Sequence, residues 1–195
     1  MSDWYNDPNV FIRSLSTRGS LGGLHPKIIE ITDLMKAAGY DYIIIETVGV
    51  GQSEVEIAGL ADVTIVVLVP EGGDVIQTMK AGLMEIADIF VVNKSDRPDA
   101  NAYINNLKMM LAPAFNMPEK IPIVKTIASE KKGIEELSQK ITEAHKTDPE
   151  KKLRLFAEKA FHLIQNKKMK SVNREELYQQ LKQQPNIYQL IEKYN

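Results

Sequence analysis

Short apolar runs rich in β-branched residues alternate along the chain with segments whose apolar residues recur at helical spacing. Continuous runs bounded by turn residues are typical of strands buried in a parallel sheet. The alternation predicts an α/β fold, a mostly parallel sheet with flanking helices in which ligands bind at the carboxyl ends of the strands. The predicted strands are residues 41–47, 63–70, 89–94 and 121–126, and the predicted helices are residues 27–38, 53–60, 74–87, 100–111 and 133–144.

The pattern changes near residue 147, after which the chain has no strand-like run and is rich in Lys, Gln and Glu. Asp148 followed by Pro149 is a typical helix start, with Asp as the N-cap and Pro in the first turn. The pattern predicts an α/β domain over residues 1–146 and a C-terminal α-helical arm over residues 147–195, which packs on the domain or on a second copy.

Composition narrows the class of protein. The 195 residues carry a net charge of −2, so no basic field indicates a nucleic-acid partner, and the absence of cysteine excludes disulfides and thiolate metal sites. The longest apolar stretch is far too short to span a bilayer, and the first ten residues do not have the pattern of a signal peptide. We therefore expect a cytoplasmic protein without a membrane or nucleic-acid partner.

The most specific motif is Asn93-Lys94-Ser95-Asp96, which has the form NKxD and follows the third predicted strand. In GTPases the Asp of this motif accepts hydrogen bonds from N1–H and the exocyclic amine of guanine, while the Lys stem lies over the base. The Asn ties the loop together. Adenine would leave the carboxylate unpaired, so the motif discriminates between the two bases. Taken alone, the same four residues also fit a solvated turn.

A second motif ends the first predicted strand. Glu46 closes the apolar run and Gly49 follows three residues later, which is the Walker B and DxxG arrangement with Glu in place of Asp. Such an acid holds Mg²⁺ through water, and the Gly amide donates to a γ-phosphate. Gln52, in the same Gly-rich loop, is a candidate for orienting the attacking water. The alternative interpretation is a buried strand that runs into an ordinary Gly turn.

The last predicted strand is followed by Ile127 and Ala128, where GTPases place a backbone amide against guanine O6; a Ser usually occupies the position of Ile127. This element is informative only through its spacing. The order ExxG, strand, NKxD, strand, x-Ala places three loops at consecutive strand ends, which predicts a single nucleotide site.

Residues 8–145, and more loosely the helical arm, resemble the MeaB/ArgK family of P-loop GTPases. These are associated with methylmalonyl-CoA mutase and are also known as lysine/arginine/ornithine transport ATPases. The resemblance is carried by the segments TRGSLGG (17–23), ETVGVGQSE (46–54), EGGDVIQTMKAG (71–82), EIAD (85–88) and VNKSD (92–96).

This resemblance implies GTP or GDP as ligand with Mg²⁺, hydrolysis of GTP, and a partner that is an adenosylcobalamin-dependent acyl-CoA mutase. It implies that residues 71–82, with Asp74 and Lys80, form a third switch that relays nucleotide state to the mutase. Arg18 and Gly19 would belong to another switch loop, although the residues taken without the family favour an ordinary turn rich in Ser, Thr and Gly. The family's C-terminal helices commonly form a homodimer.

The chain departs from the family pattern in one respect. The phosphate-binding motif GxxxxGK[ST] does not occur in the 195 residues. The sequence-based expectation is an N-terminally incomplete GTPase domain, arising as an internal-start product, a fragment or a pseudo-enzyme. Two further functions stay open: a binding module without catalysis, and an ATPase linked to the transport of basic amino acids.

Overall fold

The computed structural model describes part of the chain. The described residues are 4, 6–16, 24–47, 60–70, 83–114, 121–145, 149–169 and 171–194. Several residues singled out above lie outside these ranges, and their predicted roles stay predictions. They are Arg18, Gly19, Gly49, Gln52, Asp74, Lys80 and the predicted N-cap Asp148.

In the described part of the chain, three parallel strands form a sheet: β1 (Ile65–Leu68), β2 (Ile89–Val92) and β3 (Ile123–Lys125), in the order β1-β2-β3. The central strand β2 is buried along its whole length. Within the described ranges the helices are α1 (Ile28–Ala37), α2 (Leu83–Ile86), α3 (Ala100–Ala114), α4 (Ile134–His145), α5 (Pro149–Met169), α6 (Arg174–Gln183) and α7 (Ile187–Glu192).

The core lies on both faces of this sheet because alternate residues of β2 point to opposite sides. Phe90 and Val92 pack with β1 residues and with the apolar face of α3, including Leu107, which is fully buried. Ile89 and Val91 pack on the other face with Val124 of β3 and with residues of α4. Helices on both faces of a parallel sheet are the predicted α/β architecture.

Three of the four predicted strands form, each shorter than the apolar run that predicted it. The run 63–70 starts pairing only at Ile65, because the Thr64 N–H donates to the Asp88 carboxylate at 2.8 Å and the Asp88 N–H donates to the Thr64 carbonyl at 2.9 Å. The run 89–94 ends at Val92, because Lys94 has a φ of 54° and leaves the extended conformation. The residues at these boundaries therefore shorten the paired part of each strand.

The predicted strand at residues 41–47 was wrong. The segment has no strand pairing among the described residues. Ile44 is 91% and Tyr42 73% exposed, while Ile43 and Ile45 are half-buried. β1 is an edge strand of the described sheet, and Val67 in its middle is 61% exposed. A strand needs a hydrogen-bonded neighbour, so an apolar run without one stays outside a sheet.

Tyr103 on α3 is a buried polar exception in the core. Its side chain is 6% exposed, and its hydroxyl has no hydrogen-bond partner among the described residues. Burial raises the pKa of this phenol above 10.0, because the apolar surroundings disfavour the phenolate. The buried hydroxyl therefore destabilises the folded state.

The chain divides into two compact units, Met1–Leu155 and Phe156–Asn195. In the second unit, Asn173 caps α6 by accepting a hydrogen bond from the Glu175 N–H at 2.9 Å, and Asn186 caps α7 in the same way. Side-chain capping of both starts explains why such polar segments form helices. Among the described helices, none is both long and apolar enough to cross a membrane.

Candidate functional site: a base-binding cleft at the carboxyl ends of β2 and β3

The NKSD loop begins where β2 ends, as predicted. The Asn93 N–H donates to the carbonyl of Leu68 at 2.9 Å, so the loop starts anchored to the end of β1. Lys94 then adopts a left-handed backbone conformation, with φ of 54°. Residues other than Gly adopt this conformation only at a cost in free energy. The Arg97 N–H closes the turn by donating to the Lys94 carbonyl at 3.1 Å.

Asn93 joins the two loops of the site. Its Oδ1 accepts a hydrogen bond from the Thr126 hydroxyl at 3.1 Å and another from the Ala128 N–H at 3.1 Å. Thr126 is only 3% exposed, and its own N–H donates to the Val92 carbonyl. The loops after β2 and β3 are therefore connected by the protein itself, without a ligand.

A second link runs from Ser95 to Thr126. Both the N–H and the hydroxyl of Ser95 donate to the Thr126 carbonyl, each at 3.1 Å. Two donors on one carbonyl oxygen use both of its lone pairs. The backbone that leads to Asp96, the residue predicted to recognise guanine, is thus fixed against the end of β3.

The loop after β3 turns tightly back on that strand. Residues Ala128–Glu130 form one 3-10 turn, and Lys131 follows with φ of 56°. Gly133 has φ of 78°, and a Cβ added there would lie 2.0 Å from the carbonyl oxygen of Lys125. Only glycine permits this approach, which holds the start of α4 against the end of β3.

These loops enclose a cleft of about 240 Å³. Clefts for drug-sized ligands are larger, roughly 300–1,000 Å³, so the volume suits a base rather than a whole nucleotide. The cleft combines a carboxylate, cationic side chains, an apolar side chain and a backbone segment. Its lining residues are Asn93, Lys94, Asp96, Arg97, Ile127, Ala128 and Ser129.

The predicted residues Asn93, Lys94, Asp96 and Ala128 are thereby brought to one place. The structure adds one qualification for Ala128, because its N–H already donates to Asn93 Oδ1. Guanine O6 would have to share this N–H with Asn93 or replace Asn93 as its acceptor. Sequence reasoning missed Ser95, Gly133 and the hydroxyl of Thr126. The signal for Thr126 was its place directly before Ile127 and Ala128; nothing local marked Gly133.

Glu46, the predicted Mg²⁺ residue, lies exposed at the end of the unpaired segment 41–47. No cluster of three or more potential metal ligands occurs in the described parts of the chain. A lone carboxylate is still compatible with Mg²⁺, which usually keeps several waters and takes its other ligands from substrate phosphates. The role of Glu46 as an Mg²⁺ ligand stays a prediction.

Comparison with known proteins now decides the family. The family described as Methylmalonyl Co-A mutase-associated GTPase MeaB matches residues 1–186 of this chain. The chain belongs to the MeaB family. The predicted resemblance and the P-loop NTPase-like α/β fold class are thus confirmed.

This MeaB-family chain matches only part of the length of each of its relatives. A Pyrococcus horikoshii protein, provisionally named as a GTPase, is 49% identical over 144 residues, which are 72% of this chain and 45% of the relative. The Escherichia coli GTPase ArgK is 40% identical over 143 residues, which are 70% of this chain and 43% of ArgK. The chain spans about half the length of the curated relatives it matches.

Among solved structures, a LAO/AO transport system kinase is similar to this MeaB-family chain. The sequence identity is 32%, the TM-score is 0.48, and the match covers 79% of this chain and 47% of that one.

Proposed function

We propose that this chain binds guanine nucleotides through the cleft at the ends of β2 and β3. The observation that carries the proposal is the cross-link made by Asn93, which accepts hydrogen bonds from Thr126 and Ala128 and holds both loops in place. A preorganised cleft does not have to be ordered by the ligand, so more of the interaction energy appears as affinity. In the proposal, Asp96 accepts from N1–H and the 2-amino group of guanine.

The stem of Lys94 would cover the base, and its left-handed backbone supports this role. Strained conformations at non-glycine residues cost about 1–3 kcal/mol and cluster at ligand sites. The Ala128 amide would donate to O6 of the base once O6 shares it with Asn93.

The decisive test is a calorimetric titration of the purified chain with GDP, with GTP plus Mg²⁺, and with ADP. We expect GDP and GTP to bind and ADP not to bind. We expect the affinity to be weak, since the phosphate-binding consensus does not occur in the sequence. Equal binding of ADP and GDP would contradict guanine recognition, and a preference for ATP over GTP would favour the transport-linked ATPase.

Exchange of a single carboxylate sharpens the test. Asp96→Asn replaces an acceptor by a donor, so it should lose GDP and gain xanthosine diphosphate, whose base presents a carbonyl in place of the amine. Asp99→Asn is a matched control, because Asp99 is exposed, lies three residues further on and does not line the cleft. Loss of GDP binding in both variants would contradict the assignment of Asp96.

We further propose that the nucleotide is hydrolysed in the family's manner. Glu46 would hold Mg²⁺, which supplies charge stabilisation to the phosphates, while Gly49 would donate its amide to the γ-phosphate and Gln52 would orient water. Arg18, Gly19, Asp74 and Lys80 would act as switch residues. The test is phosphate release from GTP by the pure chain. Absence of turnover together with guanine binding would favour a binding module without catalysis.

The proposed partner is an adenosylcobalamin-dependent methylmalonyl-CoA mutase, for which this chain would act as a GTPase chaperone in the cytoplasm. The support is the family's description as mutase-associated. Sedimentation of the chain with such a mutase should show a joint complex that depends on GDP or GTP. If the chain and the mutase sediment independently with GDP, with GTP and without nucleotide, the result would contradict this partner.

A homodimer through the C-terminal arm is proposed as well. Three apolar side chains on α5 are exposed: Phe156 at 64%, Phe161 at 61% and Ile164 at 56%. Burying such side chains is worth roughly 1.5–3 kcal/mol each, so the stripe favours association. Replacing Phe156 and Phe161 by Ser should convert a dimer to a monomer in sedimentation, and an unchanged mass would contradict the interface.

A further inference from the structure

The loop after β3 has a serine two positions later than the place where GTPases usually have one. Ile127 occupies the usual place, and Ser129 follows it with Ala128 between them. All three residues line the cleft together with Asp96. An isoleucine side chain has no hydrogen-bond donor, so the hydroxyl that this loop brings to the cleft comes from Ser129.

The backbone around Ser129 is held by hydrogen bonds. Ile127 and Lys132 form an isolated antiparallel bridge, in which the Ile127 N–H donates to the Lys132 carbonyl at 3.1 Å and the Lys132 N–H donates back at 3.2 Å. Inside the bridge, the Glu130 N–H donates to the same Ile127 carbonyl at 3.0 Å. Ser129 therefore lies in a closed turn that the protein itself holds in shape at the cleft.

Two donors of this turn differ in whether they already have an acceptor. The Ala128 N–H, predicted to meet guanine O6, donates to Asn93 Oδ1 at 3.1 Å. Ser129 is exposed, and its hydroxyl makes no hydrogen bond to any of the described residues. A base that took over the Ala128 N–H would break one of the bonds between the two loops, whereas the Ser129 hydroxyl can rotate toward a ligand without breaking any of them.

We propose that Ser129 is an additional base-binding residue, whose hydroxyl donates to O6 of guanine. This inference rests on the proposed function of the cleft. A carbonyl oxygen accepts two hydrogen bonds, so O6 can take one from Ser129 while it shares the Ala128 N–H with Asn93. Asp96 would then bind N1–H and the 2-amino group, and Ser129 would bind the neighbouring oxygen on the same edge of the base.

The competing explanation is that the Ser129 hydroxyl orients the Asp96 carboxylate, since both residues line the cleft. Two ligands separate these explanations. Inosine diphosphate lacks the 2-amino group that Asp96 would accept, and 6-thioguanosine diphosphate has sulfur, a weak acceptor, in place of O6. Loss of a donor to O6 reduces the preference for GDP over the thio analogue, whereas loss of a group that orients Asp96 reduces the preference for GDP over inosine diphosphate.

The experiment is calorimetric titration of the full chain with these three nucleotides, for Ser129→Ala, Ser129→Thr and the control Ser138→Ala. For Ser129→Ala we expect about a three- to tenfold loss of affinity for GDP and for inosine diphosphate, the size of one neutral hydrogen bond, and a smaller loss for the thio analogue. Ser129→Thr keeps the hydroxyl and should retain most of the affinity. Ser138→Ala should bind as the unchanged chain does, because Ser138 is exposed on α4 and does not line the cleft.

An equal loss for GDP and the thio analogue in Ser129→Ala, or no loss for either, would overturn the contact with O6 while leaving guanine binding intact. A reduced preference for GDP over inosine diphosphate would also overturn it, in favour of an effect on Asp96. If the unchanged chain binds ADP as well as GDP, the proposed function fails and this inference fails with it. Thermal unfolding of each variant checks that a loss of affinity does not come from a loss of folded protein.

Discussion

Two apolar runs that both predict a strand differ in outcome in this protein. The run at β2 is buried at every position, and Ile89 is 0% exposed; the run at residues 41–47 stays unpaired, and Ile44 is 91% exposed. β2 has a hydrogen-bonded strand on each side and a helix on each face. The difference teaches that an apolar run becomes a strand only where neighbours accept its backbone groups.

The same contrast separates the two ends of the candidate site. The base-binding loops are tied together by side-chain and backbone hydrogen bonds around Asn93 and Thr126. Glu46, the residue predicted to serve the metal and the phosphates, follows an extended segment without strand pairing in the described chain. The proposed base-binding residues therefore lie in a connected part of the described fold, while the proposed phosphate chemistry rests on sequence motifs.

The largest expected effect comes from a matched pair of isoleucines. Ile89→Ala should cost about 2–5 kcal/mol of unfolding free energy, because it opens a cavity in a closed core. Ile44→Ala should change stability by less than about 0.5 kcal/mol, because an exposed side chain leaves no cavity. Urea unfolding of both variants measures this difference, and similar losses would show that residues 41–47 are packed in solution.

A pair of glycines gives the next effect. Gly133→Ala should cost roughly 2–4 kcal/mol, since the new methyl group meets the Lys125 carbonyl and the backbone has a positive φ. Gly39→Ala is the control: it has φ of 85° but open space around its Cβ, so only the conformational cost of about 1 kcal/mol remains. Equal losses in thermal unfolding would contradict the close approach at Gly133.

Removal of the hydroxyl of Thr126 tests the cross-link itself. Thr126→Val should cost about 1–2 kcal/mol, because it leaves the site without one hydrogen bond to Asn93 in a buried position. It should also weaken GDP binding, since one of the hydrogen bonds that hold the two loops together would be lost. Thr126→Ser keeps the hydroxyl and should retain most of the affinity; loss in both variants would indicate a packing role instead.

The smallest effect concerns Tyr103, beneath the base-binding side of the sheet. Tyr103→Phe should be neutral or stabilising by up to about 1 kcal/mol, because it removes a buried hydroxyl without a described partner. The raised pKa means that the folded state holds the phenol proton more tightly than the unfolded state does. The corresponding stability is fully present below pH 10.0 and is lost as pH rises through the folded-state pKa.

The pH dependence separates this effect from simple repacking. Stability of the unchanged chain should fall above pH 10.0 more steeply than that of Tyr103→Phe. Denaturant unfolding between pH 8 and pH 11 measures both slopes. Parallel slopes would show that the hydroxyl is hydrated or bonded in solution.

Much of the fold could be predicted because its signals are local. Apolar periodicity and turn residues located β1, β2 and β3, and Gly39 with its positive φ follows the end of α1. The strand predicted at residues 41–47 was wrong because periodicity contains no information about which strands pair. In the site, the form NKxD identified Asn93, Lys94 and Asp96, but the donors to Asn93 come from residues more than thirty positions away.

The sequence by itself determined the family and the alternation of strands and helices, and it predicted the residues for guanine recognition, because these depend on residue type and spacing. Only the tertiary structure decided which apolar runs pair, that Asn93 joins two loops, and that Lys132 lies beside Ile127. It also showed why residue 133 must be glycine, since the carbonyl of Lys125 occupies the space of its Cβ. These properties depend on contacts between distant segments, which no local pattern encodes.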